Sequence, residues 1–391
     1  MKITFKTAES VCEGHPDKLC DKIADAILDA YLYKDKGAHV AVEVMAVGHR
    51  IIVAGEITST AKVNIQSVVW RVLDKVGMSS FWRLVQVYVR KQSPDIAGGV
   101  NRSLENRNGD TSWYSSLGAG DQGTVYGYAI KEAGYEYLPL PLVFAHDICR
   151  KLDTCRKSGL IHSILPDGKA QVTIEYHDGK PARVKNIVVS IQHKPEVELE
   201  QLRSEVIANV LWPVFEKFPF DEETEILVNP SGRFVKGGPD ADTGLTGRKL
   251  MVDTYGGLAH HGGGALSGKD PTKVDRSGAY MARYIARNVV SAGLATECEV
   301  SISYAIGKAD PVSFTLTTFG TGRYPDEAIR KACLDSFNMR PAAIIEKLCL
   351  RNSGYEDTAT YGHFNGLRTW ENSMTIQEDY RLEEVVKKYA N

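Results

Sequence analysis

The chain has 391 residues, 43 % hydrophobic and 25 % charged, a globular composition too long for one core and sufficient for two or three. A formal net charge of −2 gives no general field for nucleic acid or a membrane surface, so basic residues that matter must act locally. Seven cysteines without CxxC or Cys/His ligand spacing predict reduced, mostly buried thiols; the lack of a leader pattern in MKITFKTAES and of any run near ~18 apolar residues predicts a cytoplasmic protein without nucleic-acid or membrane partners.

Along the chain, Asp17–Leu32 carries apolar residues at helical spacing, with Asp21, Asp25 and Asp29 on the opposite side. Two β-rich runs, His39–Val47 and Arg50–Ile57, follow around Gly48-His49, and Ile65 to Val76 mark a second helix. The same order returns as a helix over Leu142–Lys157, strands Gln171–Tyr176 and Arg183–Ile191 around Asp178-Gly179, and a helix over Glu196–Val210. It returns again as helix Arg276–Ala292, strands Glu299–Ala305 and Val312–Phe319, and helix Asp326–Phe337. Helix, hairpin, helix repeating from near residues 17, 142 and 275 predicts an α+β protein of three similar domains in a pseudo-threefold arrangement, at 1–104, 105–232 and 233–391, with termini and linkers crossing between them. Gln92–Gly109 and Asn229–Gly238 read as linkers.

The most informative stretch is Lys236–Asp275, where two glycine-rich turns end in Gly247-Arg248-Lys249 and Gly268-Lys269-Asp270. Glycines bring backbone amides close to a ligand and Arg and Lys neutralise it, a combination suited to the triphosphate of a nucleotide. The second turn fits GxxxxGK, but Asp270 stands where a Walker motif needs its magnesium-binding hydroxyl. Gly118–Gly123 matches GxGxxG without the preceding strand or the later acidic residue of a dinucleotide site. At Glu13–Lys18, Asp17 caps a helix or holds magnesium, with Asp275, also at a helix start, as the second magnesium candidate; His15 is a turn residue or a donor to a leaving oxygen. Glu43 and Glu56 lie in apolar strands, solvated or paired; Phe234, after Arg233, is a core residue or stacks on a base. His260-His261 lacks metal-ligand spacing.

GHPDK at Gly14–Lys18, GEIT at Gly55–Thr58, KQSPDI at Lys91–Ile96, GAGDQG at Gly118–Gly123, GLTGRK at Gly244–Lys249 and GGGALSGKDPTKVDRS at Gly262–Ser277 resemble the S-adenosylmethionine synthetase family, from Thr7 to about Gly366. The resemblance implies three domains of like topology, a homodimer with sites between subunits and often a dimer of dimers. It implies attack of methionine sulfur on the 5′ carbon of ATP, release of triphosphate and its hydrolysis to pyrophosphate and phosphate, with magnesium (two ions per site) and potassium as cofactors. Carried over residue by residue, His15 would serve the leaving oxygen and Asp17 and Asp275 would hold magnesium. Asp167, Lys169, Arg248, Lys249, Ala265 and Lys269 would contact ATP, most of them at its phosphates, and Glu43 would hold potassium. Glu56, Gln92, Asp242, Lys273 and Ile306 would hold methionine, Asp242 also serving ATP. Arg233 and Phe234 would flank adenine, Asp121 would lie near the nucleoside, and Ser93–Arg102 would be a closing loop. Two departures stand out: Leu266 replaces the commoner Phe, and Gly77–Arg90 is shorter than the bacterial form and lacks its cysteine-containing segment.

Overall fold

The computed structural model describes the chain except residues 80–83, 94–97, 99, 133–136, 353, 365, 367, 374–375 and 391, and describes 376–380 by backbone alone. Its strands are β1 (Ile3–Val11), β2 (His39–Val47), β3 (Arg50–Thr58), β4 (Leu84–Arg90), β5 (Gly123–Ile130), β6 (Ile164–His177), β7 (Lys180–His193), β8 (Glu225–Val228), β9 (Gly244–Leu245), β10 (Glu297–Tyr304) and β11 (Ser313–Thr317). The main helices are α1 (Pro16–Lys34), α2 (Ile65–Val76), α3 (Leu140–Ser158), α4 (Leu199–Val206), α5 (Val274–Ser291), α6 (Asp326–Ser336), α7 (Pro341–Lys347) and α8 (Ile376–Ala390).

The three expected repeats are present: α1-β2-β3-α2, α3-β6-β7-α4 and α5-β10-β11-α6. Each hairpin forms the middle or edge of its own sheet, in the orders β4-β3-β2-β9, β1-β6-β7-β8 and β11-β10-β5. The protein is therefore α+β with three domains, and at several places the chain crosses between sheets. β1 pairs antiparallel with β6 of the second sheet from Ile3 opposite His177 to Val11 opposite Lys169, while the helix it leads into covers the first sheet. β5 leaves the GxGxxG turn to pair with β10, from Gly123 opposite Tyr304 to Ile130 opposite Glu297. β9 returns from the third unit to pair with Met45 and Ala46 of β2. These crossings set the site, because the first brings the chain out of β1 beside Lys169 and straight into His15.

Two cores result. One joins α1, α2, α5 and the first and third sheets through residues such as Ile23, Val40, Val53, Tyr280 and Ile302; the other lies under α3, β6, β7 and α4 around Phe144, Val172 and Ile187. Fully burying one such aliphatic or aromatic side chain stabilises by about 1.5–3 kcal/mol. Two local expectations are corrected. The helix expected over Glu196–Val210 ends at Val206 and widens into a π turn over Ile207–Leu211. Pro213 follows, offers no N–H to the Asn209 carbonyl, and the Cys155 thiol donates there at 3.7 Å instead. The strands expected over Gln171–Tyr176 and Arg183–Ile191 are longer, because each runs on to the tight turn at Asp178-Gly179 and pairs along its length with interruptions at bulges. Asp21 and Asp25, opposite the apolar residues of α1, are both buried. Six of the seven cysteines are free and buried and Cys349 is free and exposed. No helix among the described residues is long and apolar enough to cross a membrane.

Candidate active site

The start of α1 is fastened to β6. Gly14 N–H donates to Pro166 O at 3.2 Å and Cys12 N–H to Gly168 O at 2.9 Å, and a Cβ on Gly14 would lie 2.3 Å from that of Pro166. His15 caps the helix: its Nδ1 accepts the Asp17 N–H at 3.2 Å, so the proton of the neutral ring is on Nε2. Burial, followed by the positive charges of Lys249 and Lys169, lowers its pKa to about 3 and keeps the ring neutral. Asp17 accepts from Leu245 N–H at 3.0 Å and from Lys249 Nζ at 2.6 Å, with Arg248 Nε 3.5 Å away. Burial alone would raise this carboxyl, but the Lys249 ammonium and the Leu245 amide outweigh it and hold it below the usual range.

The same neighbourhood takes in Asp167, whose carboxylate accepts Gly238 N–H at 2.7 Å and whose pKa burial raises to about 6. Lys169 is exposed two residues on, and Asp242, also exposed, adds negative charge near Asp167. Phe234 is half-buried and tied to β7 by His193, through Phe234 N–H to Nε2 at 3.0 Å; Arg233 beside it is exposed.

A second neighbourhood is built on the second glycine turn. This turn lies along β2: Val42 N–H donates to Gly268 O at 3.0 Å and Asp270 N–H to Val40 O at 2.9 Å. Gly268 has φ +81°, and a Cβ there would meet Val42 O at 2.1 Å, so only glycine fits. Lys269 Nζ lies 2.5 Å from Asp275 Oδ2, and Lys273 Nζ lies 2.9 Å from Asp270 Oδ2. Lys269, Lys273 and Asp275 line a cleft of about 520 Å³ with Glu56, Gln92 and Asp121. Gly120 packs on Thr272 and Lys273 and so carries Asp121 to the cleft, while Ile306, half-exposed, bridges to Ala119 of the same turn. The GxGxxG turn thus serves this cleft from the start of an antiparallel strand, which is not the strand-to-helix geometry of a dinucleotide site. Glu43 is exposed on β2; partial desolvation raises its carboxyl, Lys269 opposing the shift. Glu56 is paired with Arg90, whose Nε lies 3.0 Å from Oε1.

The expected site residues therefore fall into two groups. His15, Asp17, Asp167, Lys169, Asp242, Arg248 and Lys249 gather at the start of α1, with Arg233 and Phe234 at the end of β7; Glu56, Gln92, Asp121, Lys269, Lys273 and Asp275 line the cleft, with Glu43 near Lys269 and Ile306 bridged to Ala119. No hydrogen bond or ion pair among these described residues joins one group to the other. Ala265 lies between the turns, its Cβ 2.5 Å from where a Cβ on Gly247 would stand. Asp242, expected at both ATP and methionine, stands apart from the other methionine candidates. Most of the tip of the expected closing loop Ser93–Arg102 lies outside the described residues. His260 Nδ1 lies 2.7 Å from Glu299 Oε1.

Sequence reasoning missed four buried residues that hold the turns in place. Asp21 accepts Gly247 N–H at 2.8 Å and Asp25 accepts Gly268 N–H at 2.9 Å. Asp270 accepts Val40 N–H at 2.8 Å as well as Lys273, and Arg276 reaches the Lys269 carbonyl at 2.9 Å. The signal was present as aspartates every fourth residue of α1. His39, Arg90 and Lys91 also line the cleft.

Among the described residues no group of three or more His, Cys, Asp or Glu is placed to hold a metal alone. Single carboxylates among lysines fit a hard cation that completes its shell with phosphate and water oxygens.

Comparison with known proteins shows the family. Three family models match in order: the N-terminal domain of S-adenosylmethionine synthetase over residues 3–94, the central domain over 116–234 and the C-terminal domain over 236–372. The S-adenosylmethionine synthase of Finegoldia magna is 48 % identical over 371 residues, covering 93 % of this chain and 94 % of that one. That of Desulforudis audaxviator is 48 % identical over 365 residues (92 % of each), and that of Clostridium tetani 47 % over 382 (95 % and 97 %).

Proposed function

Because the chain belongs to the S-adenosylmethionine synthetase family, we propose that its two residue groups are halves of one site that makes S-adenosylmethionine from ATP and L-methionine. The observation that carries this is the pair of glycine turns, each presenting cations beside a helix-start aspartate: Arg248 and Lys249 at Asp17, Lys269 at Asp275. The thioether sulfur is already a nucleophile and needs no base. The demanding part is departure of a highly charged triphosphate, which preorganised cations stabilise.

In this reading Lys169, Arg248, Lys249 and Lys269 neutralise the phosphates, and neutral His15 donates from Nε2 to the leaving oxygen. Asp17 and Asp275 would hold magnesium, whose charge adds to that of the lysines; Glu43 would hold potassium. Lys273 meets the methionine carboxylate, Glu56 and Gln92 its polar groups and Ile306 its apolar arm, while Arg233, Phe234 and Asp121 take the nucleoside. The released triphosphate is then cut to pyrophosphate and phosphate.

That no hydrogen bond or ion pair joins the two groups within one chain supports a homodimer in which the α1 end of one subunit faces the cleft of the other; in this reading two such dimers can pair into a tetramer, and the enzyme works in the cytoplasm. Incubation with ATP, methionine, magnesium and potassium is expected to yield S-adenosylmethionine with phosphate and pyrophosphate. ATP hydrolysis without S-adenosylmethionine would overturn the assignment.

A further inference from the structure

α1 presents Asp17, Asp21, Asp25 and Asp29 at spacings of four, hence on one face. Each accepts backbone amides: Asp17 and Asp21 from Leu245 and Gly247 of the first glycine turn, Asp25 from Gly268 of the second, and Asp29 from Tyr355 and Glu356. Asp25 does more than accept one amide. Its two oxygens take Arg276 Nη2 at 2.8 and 2.7 Å, and Arg276 Nη1 donates to the Lys269 carbonyl at 2.9 Å. Asp25 and Arg276 are both fully buried. The pair therefore holds the second glycine turn at two successive residues, through the Gly268 amide and the Lys269 carbonyl. Arg276 also follows Asp275 directly on α5, so the same guanidinium fixes the turn of helix from which Asp275 projects.

A buried ion pair brings no stability advantage over well-packed apolar residues, because desolvation offsets the attraction. Its geometric effect is specific: a planar, forked guanidinium locked to a carboxylate sets direction and distance together. We propose that Asp25 and Arg276 are positioning residues that set the Lys269–Asp275 pair at the spacing used in the transition state, although neither touches substrate. This rests on the placement of Lys269 and Asp275 at the triphosphate proposed above.

The test compares the parent enzyme with Asp25→Asn and Arg276→Lys. Asn keeps an acceptor for Gly268 N–H and loses the charged pair; Lys keeps a cation for Asp25 but cannot also reach the Lys269 carbonyl in fixed geometry. For each, circular dichroism, oligomeric state, kcat, and KM for ATP and methionine are measured. The expected result is a kcat lower by about 100-fold, the scale of a 1 Å misplacement, with both KM values within about threefold and native dichroism. That split marks interactions realised in the transition state. A kcat within about twofold of the parent in folded Arg276→Lys overturns the proposal. So does a loss accounted for by a smaller folded fraction, with turnover per folded molecule unchanged. If Asp25→Asn does not fold, Arg276→Lys decides alone. A parent that makes no S-adenosylmethionine would defeat the functional reading instead. The positioning role is then read from tripolyphosphate hydrolysis with magnesium, whose kcat must fall in Arg276→Lys with KM within about threefold for the role to stand.

Discussion

The Lys249 ammonium donates to the Asp17 carboxylate at 2.6 Å, so the first turn of α1 and the first glycine turn meet at one ion pair. Asp17→Asn removes the charge yet keeps an acceptor for Leu245 N–H. We expect kcat at saturating magnesium to fall about 100-fold or more, the scale of one lost electrostatic contact, with less than about 2 kcal/mol lost in denaturant unfolding. The same is expected of Asp275→Asn. Near-normal turnover of both at high magnesium would remove the metal assignment.

Lys273 belongs to the cleft and leans on Asp270, at 2.9 Å. Lys273→Met is expected to raise the methionine KM by at least about tenfold, the scale of one charge-assisted contact, while tripolyphosphate hydrolysis changes much less. Separate measurement of the two half reactions checks this, and equal losses would move Lys273 to the phosphates.

Two glycines of the second turn should separate activity from stability. A Cβ on Gly264 would stand 3.1 Å from Lys269 Nζ and 3.0 Å from Asp275 Oδ2, both at side-chain ends that can shift. Gly264→Ala is therefore expected to lower kcat with little change in melting temperature. Gly268→Ala meets backbone at positive φ, and should lose about 2 kcal/mol or more of stability. The reverse ranking in kinetics and calorimetry would contradict the described turn.

His146 is buried with Nδ1 2.8 Å from Ser10 Oγ, and burial, then Arg150 and Lys18, lower its pKa to about 3. Below pH ~6.5 the unfolded ring takes a proton that the folded ring refuses, so its contribution, complete above that pH, is lost as pH falls toward 3. The loss is up to about 1.4 kcal/mol per pH unit. Between pH 7 and 4.5, His146→Gln should lose less stability than the parent in denaturant titrations. Equal acid losses would show that the folded ring is protonated.

Much of this was legible in the chain. The hairpins announced themselves by alternation and tight turns, and the glycine turns by cations where the backbone bends most. β1 and β5 escaped because their partners lie more than a hundred residues away: β1 meets β6 and β5 meets β10, pairings that no local window contains. The roles of Asp21 and Asp25 went unread for a different reason. A polar stripe at helical spacing reads the same whether it faces water or backbone amides; only the tertiary course of Gly247 and Gly268 decides. The division of the site residues into two sets with no hydrogen bond or ion pair between them was equally invisible, since both glycine turns lie within forty residues of sequence.

That division gives the most direct test of a site shared between subunits. His15→Ala disables the α1 group and Lys269→Ala the cleft, and each variant alone should be inactive. Co-assembled at equal amounts, half of randomly formed dimers are mixed and one of the two sites in each is intact, so roughly a quarter of parent activity should return. Mixed dimers recovered through two different tags that stay as inactive as either variant would show that His15 and Lys269 serve one site from the same chain.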